Sequence, residues 1–259
     1  MEGSKPLFEA VGVTKSFGGL AALKNLTFVV KPAQIKALIG PNGAGKTTFF
    51  NLTTAVYPTD KGEIRYRGIC LNGLPTYRIV SLGITRTFQN LQIFKNLSII
   101  ENVMVARYPR THCGILRSLF RTPSMRQEEN EIHNKCWKIL ELVGLEKWAY
   151  DSPTVLPFGL QRRLEIVRAL ATDPQLLLLD EPAAGLNLPE MEILGALVLK
   201  IRDQGITVLL IEHAMDLVMK IADEIVVLNY GEKIAEGTPR EIQNHPAVIA
   251  AYLGEEINA

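Results

Sequence analysis

The chain has 259 residues, 47% hydrophobic and 21% charged, which is the make-up of a globular protein with ample apolar material for a core. Its 28 basic and 27 acidic side chains leave a formal charge of +1, which argues against a broad basic field for nucleic acid, though not against a local patch. Cys70, Cys113 and Cys136 are spaced for neither a metal site nor a disulfide framework, so a reduced setting is the simpler reading. The opening MEGSKPLFEAVGV has no secretory core. The longest apolar runs, such as ILGALVL at 193–199, fall far short of a membrane span, so any membrane role needs another chain to do the spanning.

In chain order, LFEAVGV, NLTFVV and GEIRYRGICL are short, β-prone and punctuated by Gly or Pro, which predicts an antiparallel sheet in roughly the first 85 residues. IKALIG (35–40) is the first of four continuous apolar runs; LLLL (176–179), ITVLLI (206–211) and EIVVL (224–228) follow. Runs without alternation suit parallel strands buried on both faces. Between about 90 and 160 the pattern turns helical. NEIHNKCWKILELVGLE (130–146) puts Ile132, Cys136, Ile139, Leu140 and Val143 on one face and stops at Gly144. PEMEILGALVLKIRDQG (189–205) does the same with Ile193, Leu194, Leu197, Val198 and Ile201, between an opening Pro189 and a closing Gly205. TPRE (238–241) is a capping box and Pro246 opens HPAVIAAYLG, which places short helices over 238–254. The expected fold is a single α/β domain over 1–259: a mostly parallel core sheet, an antiparallel β subdomain and a helical subdomain inserted at about 90–160.

IKALIGPNGAGKTTFF (35–50) reads as strand, glycine-rich loop and helix. Gly40, Gly45, Lys46 and Thr47 satisfy G-x-x-x-x-G-K-[ST], the P-loop pattern. The loop Gly40, Pro41, Asn42, Gly43, Ala44 and Gly45 turns backbone amides around phosphates, and the helix that starts at Lys46, Thr47 and Thr48 adds its positive end. Lys46 can reach the β- and γ-phosphates of ATP, and the Thr47 hydroxyl can ligate Mg2+. QLLLLDEP (175–182) ends a buried strand in two carboxylates. Asp180 can hold Mg2+ and Glu181 can polarise an attacking water. In ITVLLIEH (206–213), His213 follows another parallel strand and falls on the same sheet edge, where it could bond the γ-phosphate; a lone histidine more often serves structure. His112, His133 and His245 have no such placement.

P-loop, helical insertion, LLLLDEP and LLIEH occur in the order of the ATP-binding cassette (ABC) ATPases, and the whole chain resembles that family. The resemblance implies that Phe17, in TKSFGG, stacks on adenine. It also implies that Gln89, in RTFQN, senses Mg2+ and γ-phosphate and links the core to the helical insertion. RTFQNLQIF, LLLLDEPAAGLN, LLIEHAMDLVM and the ending GTPREIQNHPAVIAAYLGEE resemble the G-type ATP-binding subunits of bacterial branched-chain amino-acid importers. Those pair with a second ATPase subunit beneath two integral membrane permease subunits at the cytoplasmic face of the inner membrane. A periplasmic substrate-binding protein delivers leucine, isoleucine or valine. Importers for urea, amides or other amino acids have similar subunits. Soluble ABC-type ATPases of DNA repair or translation usually carry coiled-coil, zinc or tandem-cassette additions that this sequence lacks. Export ATPases, such as those acting on lipids, would be expected to keep a better-formed signature loop.

The family carries Leu-Ser-Gly-Gly-Gln ahead of a helix, where it completes the nucleotide site of the opposite subunit in a head-to-tail dimer. Here the matching stretch is Leu156, Pro157, Phe158, Gly159 and Leu160, followed by Gln161, and only Leu156 and Gly159 fit. Pro157 replaces a serine hydroxyl and has no amide hydrogen, and the Leu160 side chain cannot donate. The Gly159 amide and the positive end of the helix survive. The expectation is a chain built for a heterodimer. Asn187, where the family often has Asp, keeps hydrogen bonding and loses charge.

Overall fold

In the computed structural model, which describes residues 5–87, 92–107 and 123–256, the strands in chain order are β1 (Phe8–Phe17), β2 (Leu20–Val30), β3 (Ile35–Ile39), β4 (Lys61–Tyr66), β5 (Ile69–Cys70), β6 (Ile84–Arg86), β7 (Leu176–Asp180), β8 (Thr207–Ile211), β9 (Glu224–Asn229) and β10 (Glu232–Gly237). The helices are α1 (Lys46–Thr53), α2 (Thr76–Leu82), α3 (Ile99–Arg107), α4 (Pro123–Val143), α5 (Phe158–Leu170), α6 (Leu188–Asp203), α7 (Met215–Ile221), α8 (Pro239–Gln243) and α9 (Pro246–Glu256). They form two units, Met1–Arg86 with Gln175–Ala259, and Thr87–Pro174.

The first unit holds both sheets. The larger runs β10-β9-β3-β8-β7-β6. All its pairings are parallel except β9 with β10. Every residue of β3, β7 and β8 is buried, which is why these runs are apolar without alternation. The smaller sheet, β2-β1-β4-β5, is antiparallel. One core joins the two: Phe8 and Phe28 of the small sheet meet Phe49 of α1, with Leu38, Leu178, Leu209 and Val226 of the large sheet in the same cluster. Burial on this scale is the main favourable term for the fold.

A cation sits inside that apolar layer. Lys36 of β3 is fully buried, and its ammonium donates to the Val29 carbonyl at 2.7 Å, to Glu224 at 3.0 Å and to Glu236. Burial pushes the Glu224 carboxyl up, but the Lys36 hydrogen bond and charge outweigh it and leave the group below its ordinary value. The stabilisation from that group is therefore complete above the ordinary carboxylate range and is lost as pH falls through the lowered value. Lys36→Met fills the volume but removes the shared cation, leaving Glu224 with Gln34 and Glu236 with Lys233. It is expected to cost about 1.5–3 kcal/mol, read as a lower midpoint of urea unfolding; an unchanged midpoint would show that the trio contributes nothing net.

α6 departs from the sequence reading in one place. Leu194, Leu197, Val198 and Ile201 are buried, but Ile193 is 47% exposed and Gly195 is buried in its stead. A Cβ on Gly195 would lie 2.9 Å from Leu217 and 3.3 Å from Ile221. The missing side chain lets α7 close on that flank and rolls Ile193 outward. Asn187 caps α6 in a capping box with Glu190, and Thr238 caps α8 in the same way with Glu241.

In the second unit α3, α4 and α5 pack around Ile99, Val103, Cys136, Leu140 and Leu164. Burial pushes the Cys136 thiol up to about 11, so it stays protonated and unreactive. Among the described residues, no helix is long and apolar enough to cross a membrane.

Candidate functional site

The site begins at the C-terminal edge of three neighbouring parallel strands, β3, β8 and β7. After β3 the chain turns through Gly40–Gly45 into α1. Gly40 has φ +147, and a Cβ there would lie 2.1 Å from the Leu228 carbonyl oxygen; Gly45 has φ +104, and its Cβ would meet the Ala22 oxygen at 2.4 Å. No other residue type fits either place. Lys46 is 5% exposed, and its ammonium donates back to the carbonyls of Gly40 at 2.6 Å and Pro41 at 2.8 Å, which closes the loop on itself. Ala44 donates to the Pro41 carbonyl and accepts from the Gly231 amide. The amides of Gly43, Gly45, Thr47 and Thr48 have no hydrogen-bond partner among the described residues. Donors clustered at the start of a helix form an anion cradle. Asn42, Gly43 and Thr47 are exposed, and Pro41 and Ala44 are buried beneath them.

β7 delivers the two carboxylates. Asp180 is buried at 3% exposure and pairs with the Arg86 guanidinium at 2.6 Å. Arg86 also donates to Asn51 at 2.7 Å and lies over the Phe50 ring, so it ties the end of β7 to α1. Glu181 then takes φ +48, a left-handed conformation that costs a non-glycine residue about 1 kcal/mol or more. The conformation is held by its amide bond to the Ile211 carbonyl at 2.9 Å and by the Ala184 amide on its own carbonyl. That turn brings Glu181 Oε1 to 3.2 Å from His213 Nε2 at the end of β8, with the two side chains 18% and 40% exposed. Glu181 and His213, 32 residues apart, therefore form one unit.

At the end of β1, Phe17 is 41% exposed. Its ring meets the edge of Tyr57 at 5.2 Å, and the Lys15 ammonium lies 5.3 Å from its centroid. The exposed face is available for stacking. Gln89 lies outside the described residues.

The ABC transporter family matches residues 23–184, and the branched-chain amino acid ATP-binding cassette transporter family matches residues 232–258. This chain is an ABC transporter ATPase. It is 47% identical to the high-affinity branched-chain amino acid transport ATP-binding protein BraF of Pseudomonas aeruginosa, over 97% of this chain and 99% of that one. It is 45% identical, over the same shares, to the corresponding protein LivG of Escherichia coli. Among solved structures, the ADP conformation of an ATP-binding cassette of an ABC transporter aligns with TM-score 0.85 and 30% identity, over 97% of this chain and all of that one.

In the second unit of this ABC ATPase, Pro157 is the N-cap of α5 and makes no side-chain capping bond. Its carbonyl accepts from the Leu160 and Gln161 amides, at 2.9 and 3.0 Å. The amides of Phe158 and Gly159 remain unpaired among the described residues. Leu156 is buried and accepts from the Gln161 side chain at 2.8 Å. Phe158 is exposed, with the Arg162 guanidinium over its ring.

For Mg2+, the Thr47 hydroxyl and the Asp180 carboxylate are hard oxygen donors of the kind that ion selects, so the donor set fits. Sequence reasoning missed Arg86, Asn51 and Glu212. The one signal available was at Glu212, a charge that directly follows the apolar run 206–211 and, if buried, must find partners, though the sequence does not say which.

Proposed function

We propose that this chain is the ATP-hydrolysing subunit of an importer for branched-chain amino acids, bound peripherally at the cytoplasmic face of a bacterial inner membrane. The observation that carries hydrolysis is the Glu181–His213 pair at 3.2 Å, on the sheet edge that holds the P-loop. The family match at residues 232–258 supports the branched-chain reading. The cradle amides and Lys46 bind the β- and γ-phosphates, and Phe17 stacks on adenine. Thr47, Asp180 and Gln89 would hold Mg2+, which when bound would neutralise charge on the phosphate oxygens. Glu181 takes the proton of the attacking water, and His213 hydrogen-bonds the γ-phosphate and keeps Glu181 aimed. A strain lacking this chain is expected to lose uptake of labelled leucine, isoleucine and valine, and to regain it with the wild-type chain. Loss of urea or amide uptake alone would move the assignment to those importers.

In the second unit, Gln92, Ile93, Phe94 and Arg168 line a depression of ≈ 470 Å³. Its rim is built rigidly. Glu165 accepts from the Gln92 amide at 3.0 Å, and the buried Asn102 side chain both accepts from the Phe94 amide and donates to its carbonyl. Phe94 is 47% exposed, with Arg168 over its ring. This is where we place contact with the membrane subunits, one on each of two cassettes. The periplasmic binding protein acts through them.

The second cassette is a different chain. In a head-to-tail pair the Pro157–Gln161 segment faces the partner's γ-phosphate with only the Phe158 and Gly159 amides and the start of α5 to offer. Each missing charged hydrogen bond is worth about 1.5–3 kcal/mol. Pro157→Ser with Leu160→Gln is expected to raise ATP-dependent self-association of a Glu181→Gln chain by at least about tenfold, measured by sedimentation. Full ATPase activity of the unaltered chain as a purified homodimer would refute the heterodimer.

A further inference from the structure

Glu212 has no role in the functional reading so far, yet it is buried at 3% exposure beside the site. β7 and β8 run parallel, and Asp180 opposite Ile211 is their last matched pair. Beyond it the chains leave the sheet as two turns. One carries Glu181 and the buried Ala183; the other carries His213 and Ala214. The Glu181 amide on the Ile211 carbonyl is the last backbone bond of the ladder. From there a side chain takes over. Glu212 Oε1 accepts from the Ala183 amide at 2.6 Å, and Oε2 accepts from the amides of His213 at 2.9 Å and Ala214 at 3.1 Å.

One carboxylate therefore holds both turns, one oxygen to each. Bonds to an ionised acceptor are shorter and about twice as strong as neutral ones, and a carboxylate has lone pairs enough for all three donors. The distance it fixes is the one the site depends on. Glu181 stands two residues before Ala183, and His213 is itself a donor, so the 3.2 Å between Glu181 Oε1 and His213 Nε2 follows from the relative position of the two turns. We propose that Glu212 is a positioning residue for ATP hydrolysis: a buried strut that sets the Glu181–His213 distance and makes the turns 181–187 and 212–214 move as one. The proposal rests on reading Glu181 and His213 as the catalytic pair.

Two variants test it in the full-length chain. Glu212→Ala removes both acceptors, while Glu212→Gln keeps one and turns the other into a donor. Without any partner subunit, hydrogen–deuterium exchange is expected to accelerate at residues 183–186 and 213–214 in both variants while the P-loop stays protected; unchanged protection in both would overturn the strut. In the assembled importer, kcat for ATP is expected to fall about 10- to 100-fold with nucleotide affinity changed less than about twofold. An equal fall in affinity would make Glu212 merely structural and overturn the proposal. His213→Ala serves as the reference. Because Glu212 acts through the pair, Glu212→Ala is expected to slow the His213→Ala chain by far less than it slows the wild type, and full additivity would overturn the proposal. If His213→Ala itself turns over normally, the catalytic reading falls; if it is slow and both Glu212 variants are not, only the strut falls. Should Glu212→Ala fail to fold, Glu212→Gln carries every criterion alone.

Discussion

Glu181→Gln is expected to leave ATP bound and to slow its turnover by about two to four orders of magnitude, the usual contribution of a positioned general base. The substitution preserves volume, the left-handed backbone and a hydrogen-bonding atom facing His213, but an amide cannot accept a proton. Two features favour Glu181 over Asp180 as the proposed base. Asp180 is 3% exposed and its carboxylate faces Arg86 and the proposed Mg2+ position, so cations rather than a proton are its partners. Glu181 is displaced from the strand by its φ of +48 and meets His213, at a side chain that retains 18% exposure. Strain of that kind persists when the surrounding bonds over-determine it, as the ladder amide does here. Nucleotide binding and single-turnover hydrolysis by the assembled importer check the prediction separately. Hydrolysis at the wild-type rate would remove Glu181 from the proton transfer.

The parts of this site legible in the sequence are those that local chemistry dictates. The P-loop could be read because only glycine serves at Gly40 and Gly45, and LLLLD could be read because a strand buried on both faces has no polar alternation to hide it. β6 and β10 could not. ITR is a three-residue edge strand, and EKIAEG is largely exposed with Ala235 its one buried residue, so neither carries the apolar run by which the core strands announce themselves. Arg86 and Glu212 were illegible for a different reason. Arg86 meets Asp180 across 94 residues and Glu212 meets Ala183 across 29, so their meaning lies in pairing register, which periodicity does not report. Ile193 shows the limit for helices: the period placed it at the margin of the apolar stripe, and a glycine two residues on decided which margin was buried.

Lys46→Ala is expected to raise the dissociation constant for ATP by about 100-fold, while the constant for AMP changes by less than about threefold. The asymmetry follows from where the ammonium is held. Its bonds to the Gly40 and Pro41 carbonyls draw it back over the loop, which suits the β- and γ-phosphates that the proposed site would hold there. The proposed stacking of adenine on Phe17 would be left intact. Loss of a charge-assisted bond to an anion costs about 1.5–3 kcal/mol, and the two loop carbonyls lose a shared donor besides. Lys46→Arg is expected to rescue little, because a planar fork cannot occupy the position of a compact ammonium between two carbonyls. Equilibrium binding of ATP, ADP and AMP to the full-length variants decides the matter. If all three weaken equally, Lys46 shapes the loop rather than gripping the terminal phosphates, and the amides of Gly43, Gly45, Thr47 and Thr48, unpaired among the described residues, would carry anion recognition on their own.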